Sequence, residues 1–238
     1  MFLRLAITQH TILKLLPYFA GVMVIGFAVV IPIAIRAAKK RREAFRAIAE
    51  SLNFSFSKKD PGLRKQLEHF QLFSKGTNRK ISNVMQGKTR SVSVAIFDYC
   101  YYTGGRRTTN ATLHWLTVIA FRSLELNLPT FIMRPEHFLH KLGDLLGYQD
   151  IDFDSHPGFS KEYMVKGRDE AAVRKLFTRD VLDYFREHDE QEHDKFFIEG
   201  GADRLMVYRS LFQLSPEKIR PLLLEDGYAV FNLFKRKR

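Results

Sequence analysis

The sequence predicts an α+β protein with an N-terminal membrane anchor, and three observations support that prediction. An uncharged apolar run lies near the N-terminus, strand-like segments fill residues 80–122, and helix-like segments follow without a regular strand–helix alternation. A regular alternation of strands and helices would instead indicate a parallel sheet. We therefore expect a transmembrane helix that continues into a juxtamembrane helix, followed by an antiparallel β-meander packed with several helices.

The predicted membrane span covers residues 15–35. These 21 residues contain no charged side chain, and Lys14 and Arg36 bound them. A helix of this length rises about 31 Å, which matches a hydrocarbon core of roughly 30 Å. A signal peptide has a shorter apolar region that ends in a small-residue cleavage site, and a core helix is rarely apolar on every face. The sequence therefore predicts a retained single-span anchor.

The charges on either side of the span predict its direction. Five cations follow the span within seven residues, whereas only Arg4 and Lys14 precede it. Because cytoplasmic flanks carry the excess of Lys and Arg, we expect residues 1–14 outside the cell and residues 36–238 in the cytoplasm. Two clusters of basic residues are then expected at the anionic inner leaflet. They are Arg36, Lys39, Lys40, Arg41 and Arg42 after the span, and Lys235, Arg236, Lys237 and Arg238 at the C-terminus.

The distribution of charge argues against nucleic-acid binding. The chain has a net charge of +12, but residues 43–234 hold 27 basic against 26 acidic groups. A groove that follows phosphates needs its excess cations within the folded domain. The lone Cys100 also excludes an intramolecular disulfide.

The first half of the predicted cytosolic domain, residues 53–238, follows a juxtamembrane helix over 36–52. Alternation at 54–57 indicates a short strand, and Asp60-Pro61 is typical of a capped helix start. Residues 80–85, 92–102 and 108–121 read as strands, with turns at Gln86-Gly87 and Gly104-Gly105, and 131–133 as an edge strand.

In the second half of the domain, predicted helices and strands follow each other without a regular order. We expect helices over residues 136–146, 170–177 and 180–187, a strand over 163–166, and a solvated loop over 187–194. Strands at 196–198 and 205–208 would be joined around Gly200-Gly201, and Ser215-Pro216 would open a final amphipathic helix.

Known catalytic and nucleotide-binding motifs are absent from the sequence. Asp150, Asp152, Asp154 and His156 could serve a divalent metal, but alternation with Ile151 and Phe153 also suits a half-buried strand. His137 and His140 stand at a chelating spacing among apolar residues, which favours an amphipathic surface. We predict no metal and no cofactor.

The hairpin around Gly104 is the strongest candidate for a binding surface. Asp98, Tyr99 and Tyr101 precede the turn, and Arg106 and Arg107 follow it. Aromatic rings beside arginines on adjacent strands can stack and donate forked hydrogen bonds to a partner. The alternative is cross-strand pairing that only stabilises the hairpin.

Several segments resemble a family of bacterial single-span membrane proteins that has no assigned activity. They are RREAFRAIAESLNFSF, ISNVMQG, VAIFDYCYYTGG, YQDIDFDSHPGFS and EGGADRLMVYR, in this order along the chain. The resemblance implies a bacterial inner-membrane protein with one cytosolic α+β domain, and it implies no catalytic residue. Cys100 departs from the family pattern, in which an arginine or a similar residue is expected.

These observations favour a non-enzymatic, membrane-anchored module that binds a partner protein or anionic lipid at the inner membrane face. The alternative is an enzyme on a membrane-proximal substrate, with Asp98, Arg106, Arg107 or the 152–156 stretch as its site. Nucleic-acid binding is the least favoured class.

Overall fold

A computed structural model describes residues 9–104, 111–136, 149–188, 195–209 and 213–236, with only the backbone of 9–16, 19–27 and 149. Contacts divide the chain into two compact units, residues 1–44 and 45–238. The predicted helix over 136–146 and most of the predicted loop over 187–194 lie outside the described residues.

The longest element is helix α1, Gln9–Ser51, which contains Pro17 and Pro32. It ends where Asn53 takes a positive φ of 54°, close to the predicted end at residue 52. Its described apolar side chains in the predicted span, such as Val30 and Ile35, are exposed. Among the described residues, no helix is both long and apolar enough to cross a membrane.

The second unit is an α+β domain built on an antiparallel sheet, as the sequence predicts. The described strands form one nine-stranded sheet in the order β1-β2-β3-β4-β9-β8-β5-β7-β6. The strands are β1 Ser55–Ser57, β2 Thr77–Lys88, β3 Val92–Thr103, β4 Thr112–Ser123, β5 Leu128–Pro135, β6 Gln149–Asp150, β7 Tyr163–Gly167, β8 Phe196–Ala202 and β9 Arg204–Arg209. β2 to β4 form consecutive antiparallel strands as the predicted meander requires, β1 pairs with β2, and the β8–β9 hairpin lies between β4 and β5.

One face of the sheet, which we call the packed face, carries the larger apolar core. Phe45 and Ala49 of α1 lie in this core, as do residues of α4 to α6 and of the C-terminal helices. The described helices on this face are α4 Pro157–Glu162, α5 Glu170–Leu176, α6 Arg179–Glu187, α7 Pro216–Pro221 and α8 Tyr228–Phe234, with a π-helical turn Leu222–Gly227 between the last two. Phe131 and Phe177 meet edge to face with ring centroids 5.2 Å apart.

The opposite face, which we call the charged face, is covered by two short helices, α2 Pro61–Leu67 and α3 Gln71–Ser74. α2 begins as predicted, since the carboxylate of Asp60 accepts a hydrogen bond from the Leu63 N–H at 2.8 Å and Pro61 occupies the first turn. Leu63 and Leu67 then pack against the sheet.

Three sequence predictions within the sheet were wrong. Gln86-Gly87 is part of β2, where the Phe54 ring lies over Gly87, rather than a turn. Gly200-Gly201 is likewise within β8 and pairs with β9, and the Phe131 ring occupies the space a Cβ of Gly200 would need. Residues 131–133 are interior, because β5 pairs with β7 on one side and β8 on the other. Positions 87 and 200 require glycine because a neighbouring aromatic ring leaves no space for a Cβ, and not because a turn needs a positive φ.

Candidate functional site

Two opposite charges lie buried on the charged face of the sheet. Glu199 of β8 pairs across the ladder with Ile132 of β5, and Arg134 is the next residue of β5 on the same face. Arg134 and Glu199 are each 1% exposed, and the guanidinium Nη2 lies 3.5 Å from the carboxylate Oε1. Since removing charges from water is costly, each of these groups needs polar partners.

Glu199 has those partners. Its carboxylate accepts hydrogen bonds from the backbone N–H groups of Gln71 at 2.6 Å and Leu72 at 3.1 Å, where α3 begins. The Tyr208 hydroxyl also hydrogen-bonds to it. This carboxylate therefore fixes α3 to the sheet, although Gln71 and Glu199 are 128 residues apart in the chain.

Arg134 is less well satisfied. None of its three guanidinium nitrogens has a hydrogen-bond partner among the described residues, and each is fully shielded from solvent. The contact with Glu199 supplies charge compensation, but at 3.5 Å it is too long for a strong hydrogen bond. Buried donors of this kind cost about 1–3 kcal/mol or more each when no water or ligand satisfies them.

The same buried environment shifts the pKa values of the neighbouring ionisable groups. Burial, and secondarily the charge of Arg134, lowers the pKa of Lys75 to about 7, while Glu199 opposes this shift. Burial raises the pKa of Tyr101, and burial with the Glu199 charge raises the pKa of Tyr208 far above its usual range. Near neutral pH the cluster therefore holds two neutral phenols and an amine that gains or loses its proton.

A cavity of about 360 Å³ lies further along the charged face, beside α2. Its floor includes Ala95 and Ala120, which are cross-strand partners and only 6% and 7% exposed. The next pair on these strands, Phe97 and Val118, fills the same face with larger side chains. The cavity exists because two small residues face each other where the neighbouring positions are large.

The rim of this cavity is basic. Lys88, Arg122 and Arg204 line it, and the described lining residues include no acid. Asp203 lies beside two of these cations, accepting a hydrogen bond from Arg122 Nε at 2.7 Å and lying 3.5 Å from Arg204 Nε. Although its own partial burial opposes the change, the pKa of Asp203 is lowered by the Arg122 hydrogen bond and by the charges of Arg122 and Arg204. Three cations thus face one carboxylate.

The candidate hairpin residues do not share one exposed surface. Because side chains alternate along β3, Tyr99 and Tyr101 lie on the charged face and Asp98 points the opposite way. All three are buried, and Asp98 accepts hydrogen bonds from Asn83 Nδ2 at 2.8 Å and Thr117 Oγ1 at 3.2 Å. Arg106 and Arg107 lie outside the described residues. The described part of the hairpin therefore forms internal contacts.

The predicted membrane-surface residues lie at the chain ends. Arg36, Lys39 and Lys40 are exposed on α1, and Arg41 and Arg42 are partly exposed. Lys235 and Arg236 are exposed, and the backbone N–H of Arg236 donates to the Glu125 carbonyl at 2.9 Å, whereas Lys237 and Arg238 lie outside the described residues.

The acidic stretch before α4 has the geometry of an alternating segment. Ile151 and Phe153 are buried, Asp152 and Asp154 are exposed, and His156 Nε2 lies 3.4 Å from Asp183 Oδ1. No group of three metal-ligating side chains comes together among the described residues. His137 and His140 lie outside them. Cys100 is buried, and this burial raises its pKa.

The Arg134–Glu199 cluster was not predicted from the sequence. A signal was present, because each residue is a single charge in an otherwise apolar strand segment, FIMRP for Arg134 and FFIEGG for Glu199. A lone charge in a buried strand needs a partner of opposite sign. Periodicity within one segment could not show that these two strands are neighbours.

The fold defines the class of protein as an antiparallel α+β domain that follows a long N-terminal helix. No family model matches the chain, and no curated protein matches it, so the family resemblance stays a prediction. Among solved structures, the chain is similar to the crystal structure of the mycobacterial trehalose monomycolate transport factor A, TtfA. The TM-score is 0.55 at 15% sequence identity, over 84% of this chain and 97% of that chain. At this identity the likeness concerns the fold alone.

Proposed function

We propose that the protein is a membrane-anchored interaction module of the bacterial inner membrane, held by residues 15–35 with residues 43–238 in the cytoplasm. One observation carries the proposal: an uncharged run of 21 residues that is helical throughout and is followed by five cations. The described apolar side chains of this run are exposed, with Val30 at 62% and Ile35 at 62%. A contiguous apolar surface of this kind needs an apolar surrounding such as lipid.

The interaction role rests on what the domain offers. Two of its buried polar groups, Glu199 and Asp98, hold the fold together through hydrogen bonds. The cationic ends suit an anionic inner leaflet, where each Lys or Arg contributes roughly 1 kcal/mol. The proposed module binds a partner protein or anionic lipid at the inner membrane face. The alternative is an enzyme that acts on a membrane-proximal substrate.

Anchoring is tested by a charge at the middle of the span. Ile25→Arg should move the protein from the membrane pellet to the supernatant after carbonate extraction, because an arginine at a helix centre costs about 2.5–3.5 kcal/mol on insertion scales. Ile25→Leu is the matched control and should stay in the pellet. A wild-type protein extracted by carbonate would end the proposal.

Orientation is tested separately. A reporter fused after Arg238 should behave as cytoplasmic, and protease added to intact spheroplasts should leave the domain uncut. Digestion from outside, with a cytoplasmic marker intact in the same cells, would reverse the orientation.

The basic C-terminus is proposed as a second membrane contact. The backbone of Arg236 is held at the turn after β4, so the tail starts from a fixed point on the domain. A fluorophore at position 238 of the full chain in nanodiscs should be quenched by labelled lipid when phosphatidylglycerol is present, and less at high salt. Replacing residues 235–237 by Ser should abolish the quenching. Equal quenching in phosphatidylcholine alone would contradict an electrostatic contact.

A further inference from the structure

We infer that the cavity beside α2 binds an amphipathic anion with a single acyl chain, whose carboxylate or phosphate group lies at the basic rim. The inference concerns the ligand of the domain, and it takes from the proposed function only the membrane as a source of that ligand.

The size and walls suit an alkyl chain. The cavity has a volume of about 360 Å³, and small-molecule sites commonly span about 300–1,000 Å³ with largely apolar walls. Leu63 and Leu67 of α2 form one wall, and Ala95 and Ala120 form the floor. These four residues offer an alkyl chain a surface without hydrogen-bond requirements, whereas the serines and glutamines of the lining are polar.

The rim adds a requirement for negative charge. Lys88 and Arg122 are exposed and Arg204 is partly exposed, so all three can reach a head group at the mouth. Asp203 offsets one of them, which leaves a net charge of +2 at this rim. A neutral alkyl ligand would gain no electrostatic attraction from these cations, whereas an anionic head group would be attracted to them.

α2 lines one side of the cavity. It is a seven-residue helix held by its Asp60 cap, and Gln86 Nε2 donates to the second oxygen of the same carboxylate at 3.1 Å. The Asp60 carboxylate is therefore engaged with α2 and β2, and does not compete for the cations of the rim. A chain that enters the cavity passes between a small helix and the sheet.

Photolabelling of the full chain tests the inference. The protein, in phosphatidylcholine nanodiscs or in buffer if it does not insert, is irradiated with diazirine-bearing dodecanoate, lysophosphatidylglycerol or dodecanol. Dodecanoate or lysophosphatidylglycerol should label peptides that contain Leu63, Leu67 or Ala95, and the more efficient of the two identifies a free fatty acid or a lipid as the source. Dodecanol should label the same peptides at least about fivefold less, as expected when attraction at an exposed rim is lost.

Matched variants locate the site. Ala120→Leu should reduce labelling about tenfold or more because the added side chain occupies the floor, whereas Ala171→Leu on the exposed surface of α5 should not. Lys88→Gln should weaken labelling by the anions about twofold to fivefold and leave dodecanol unchanged, with Lys161→Gln as the charge control. Circular dichroism checks that each variant is folded, and an unfolded Ala120→Leu is replaced by Ala95→Val.

Three results would overturn the inference: equal labelling by dodecanol, labels elsewhere in the domain, or no effect of filling the floor. Failure of the membrane proposal is seen independently, because carbonate extraction reports anchoring and the labelled peptides report the cavity. If carbonate extracts the protein but the label lies beside α2, the anchor is disproved and the lipid-binding cavity is supported.

Discussion

The two faces of the sheet are stabilised in different ways. The packed face buries a continuous apolar core in which aromatic rings from β5, from the residue that follows α5 and from α8 meet, with Phe131, Phe177 and Phe234 in mutual contact. The charged face buries Arg134 and Glu199 beneath two helices of seven and four residues. Apolar packing tolerates small adjustments, whereas a buried charge depends on each of its partners. The charged face should therefore be the more sensitive to single polar substitutions.

The largest effect that we expect comes from Glu199→Ala. This change leaves Arg134 buried without its counter-charge and frees the N–H groups of Gln71 and Leu72. The free energy of unfolding, measured by denaturant titration of the full chain, should fall by about 3–5 kcal/mol. The double variant Arg134→Met with Glu199→Gln should be more stable than Glu199→Ala alone, since no unpaired charge remains. A double variant that is less stable would show that the pair itself stabilises the fold.

A smaller change in the free energy of unfolding is expected when alanine replaces Gly200, whose missing side chain makes room on the packed face. The adjacent Gly201 serves as the control. A Cβ at Gly200 would overlap a carbon of the Phe131 ring, whereas at Gly201 its nearest neighbour would be Thr130 Oγ1 at 3.6 Å. Gly200→Ala should lower the unfolding free energy by about 1–3 kcal/mol through overpacking. Gly201→Ala should be neutral or slightly stabilising, because it restricts the unfolded chain. Equal values for the two variants would argue against the close ring contact.

The cap of α2 should contribute less. Asp60→Ala removes the acceptor for the Leu63 N–H and should cost about 1 kcal/mol. Asp60→Asn keeps an acceptor oxygen and should retain most of the stability in the same denaturant titration. If both variants match the wild type, α2 does not depend on its cap.

The smallest expected effect is a dependence on pH, because Lys75 is half-buried and still reaches solvent. Burial lowers its pKa in the folded state to about 7, below that of the unfolded chain. Between about pH 7 and 10 the unfolded chain therefore binds more protons, and stability should rise with pH. The wild-type unfolding midpoint relative to that of Lys75→Met should increase from pH 7 to 9.5. A constant difference would mean that Lys75 is not desolvated.

Local features of the fold could be predicted from the sequence and long-range ones could not. The capped start of α2 at Asp60-Pro61 follows from two adjacent residues, and the alternation in β3 follows from one segment. The position of β5 depends on which strands approach it, and that order is set by partners far along the chain. The glycines of β8 were misread for the same reason, since the ring that excludes a Cβ comes from another strand.

The candidate sites show the same limit. The hairpin residues were predicted to form one surface because they are close in the chain, but the alternation of the strand places Asp98 and Tyr99 on opposite faces. Arg134, Glu199 and Lys75 come together only through the sheet and α3. The floor of the cavity is still harder to foresee, because an alanine is unremarkable until its cross-strand partner is known to be another alanine.

The place of the β8–β9 hairpin has a consequence for the order of events during synthesis. β4 and β5 follow each other in the chain, yet each gains its neighbour on the other side only from residues 196–209. A ribosome must therefore make most of the domain before the two halves of the sheet can join, while the facing edges of β4 and β5 stay open. Unpaired edges of this kind invite wrong strand partners, and late non-local pairing slows folding. We expect the nascent chain to need protection by a chaperone until the hairpin has left the ribosome.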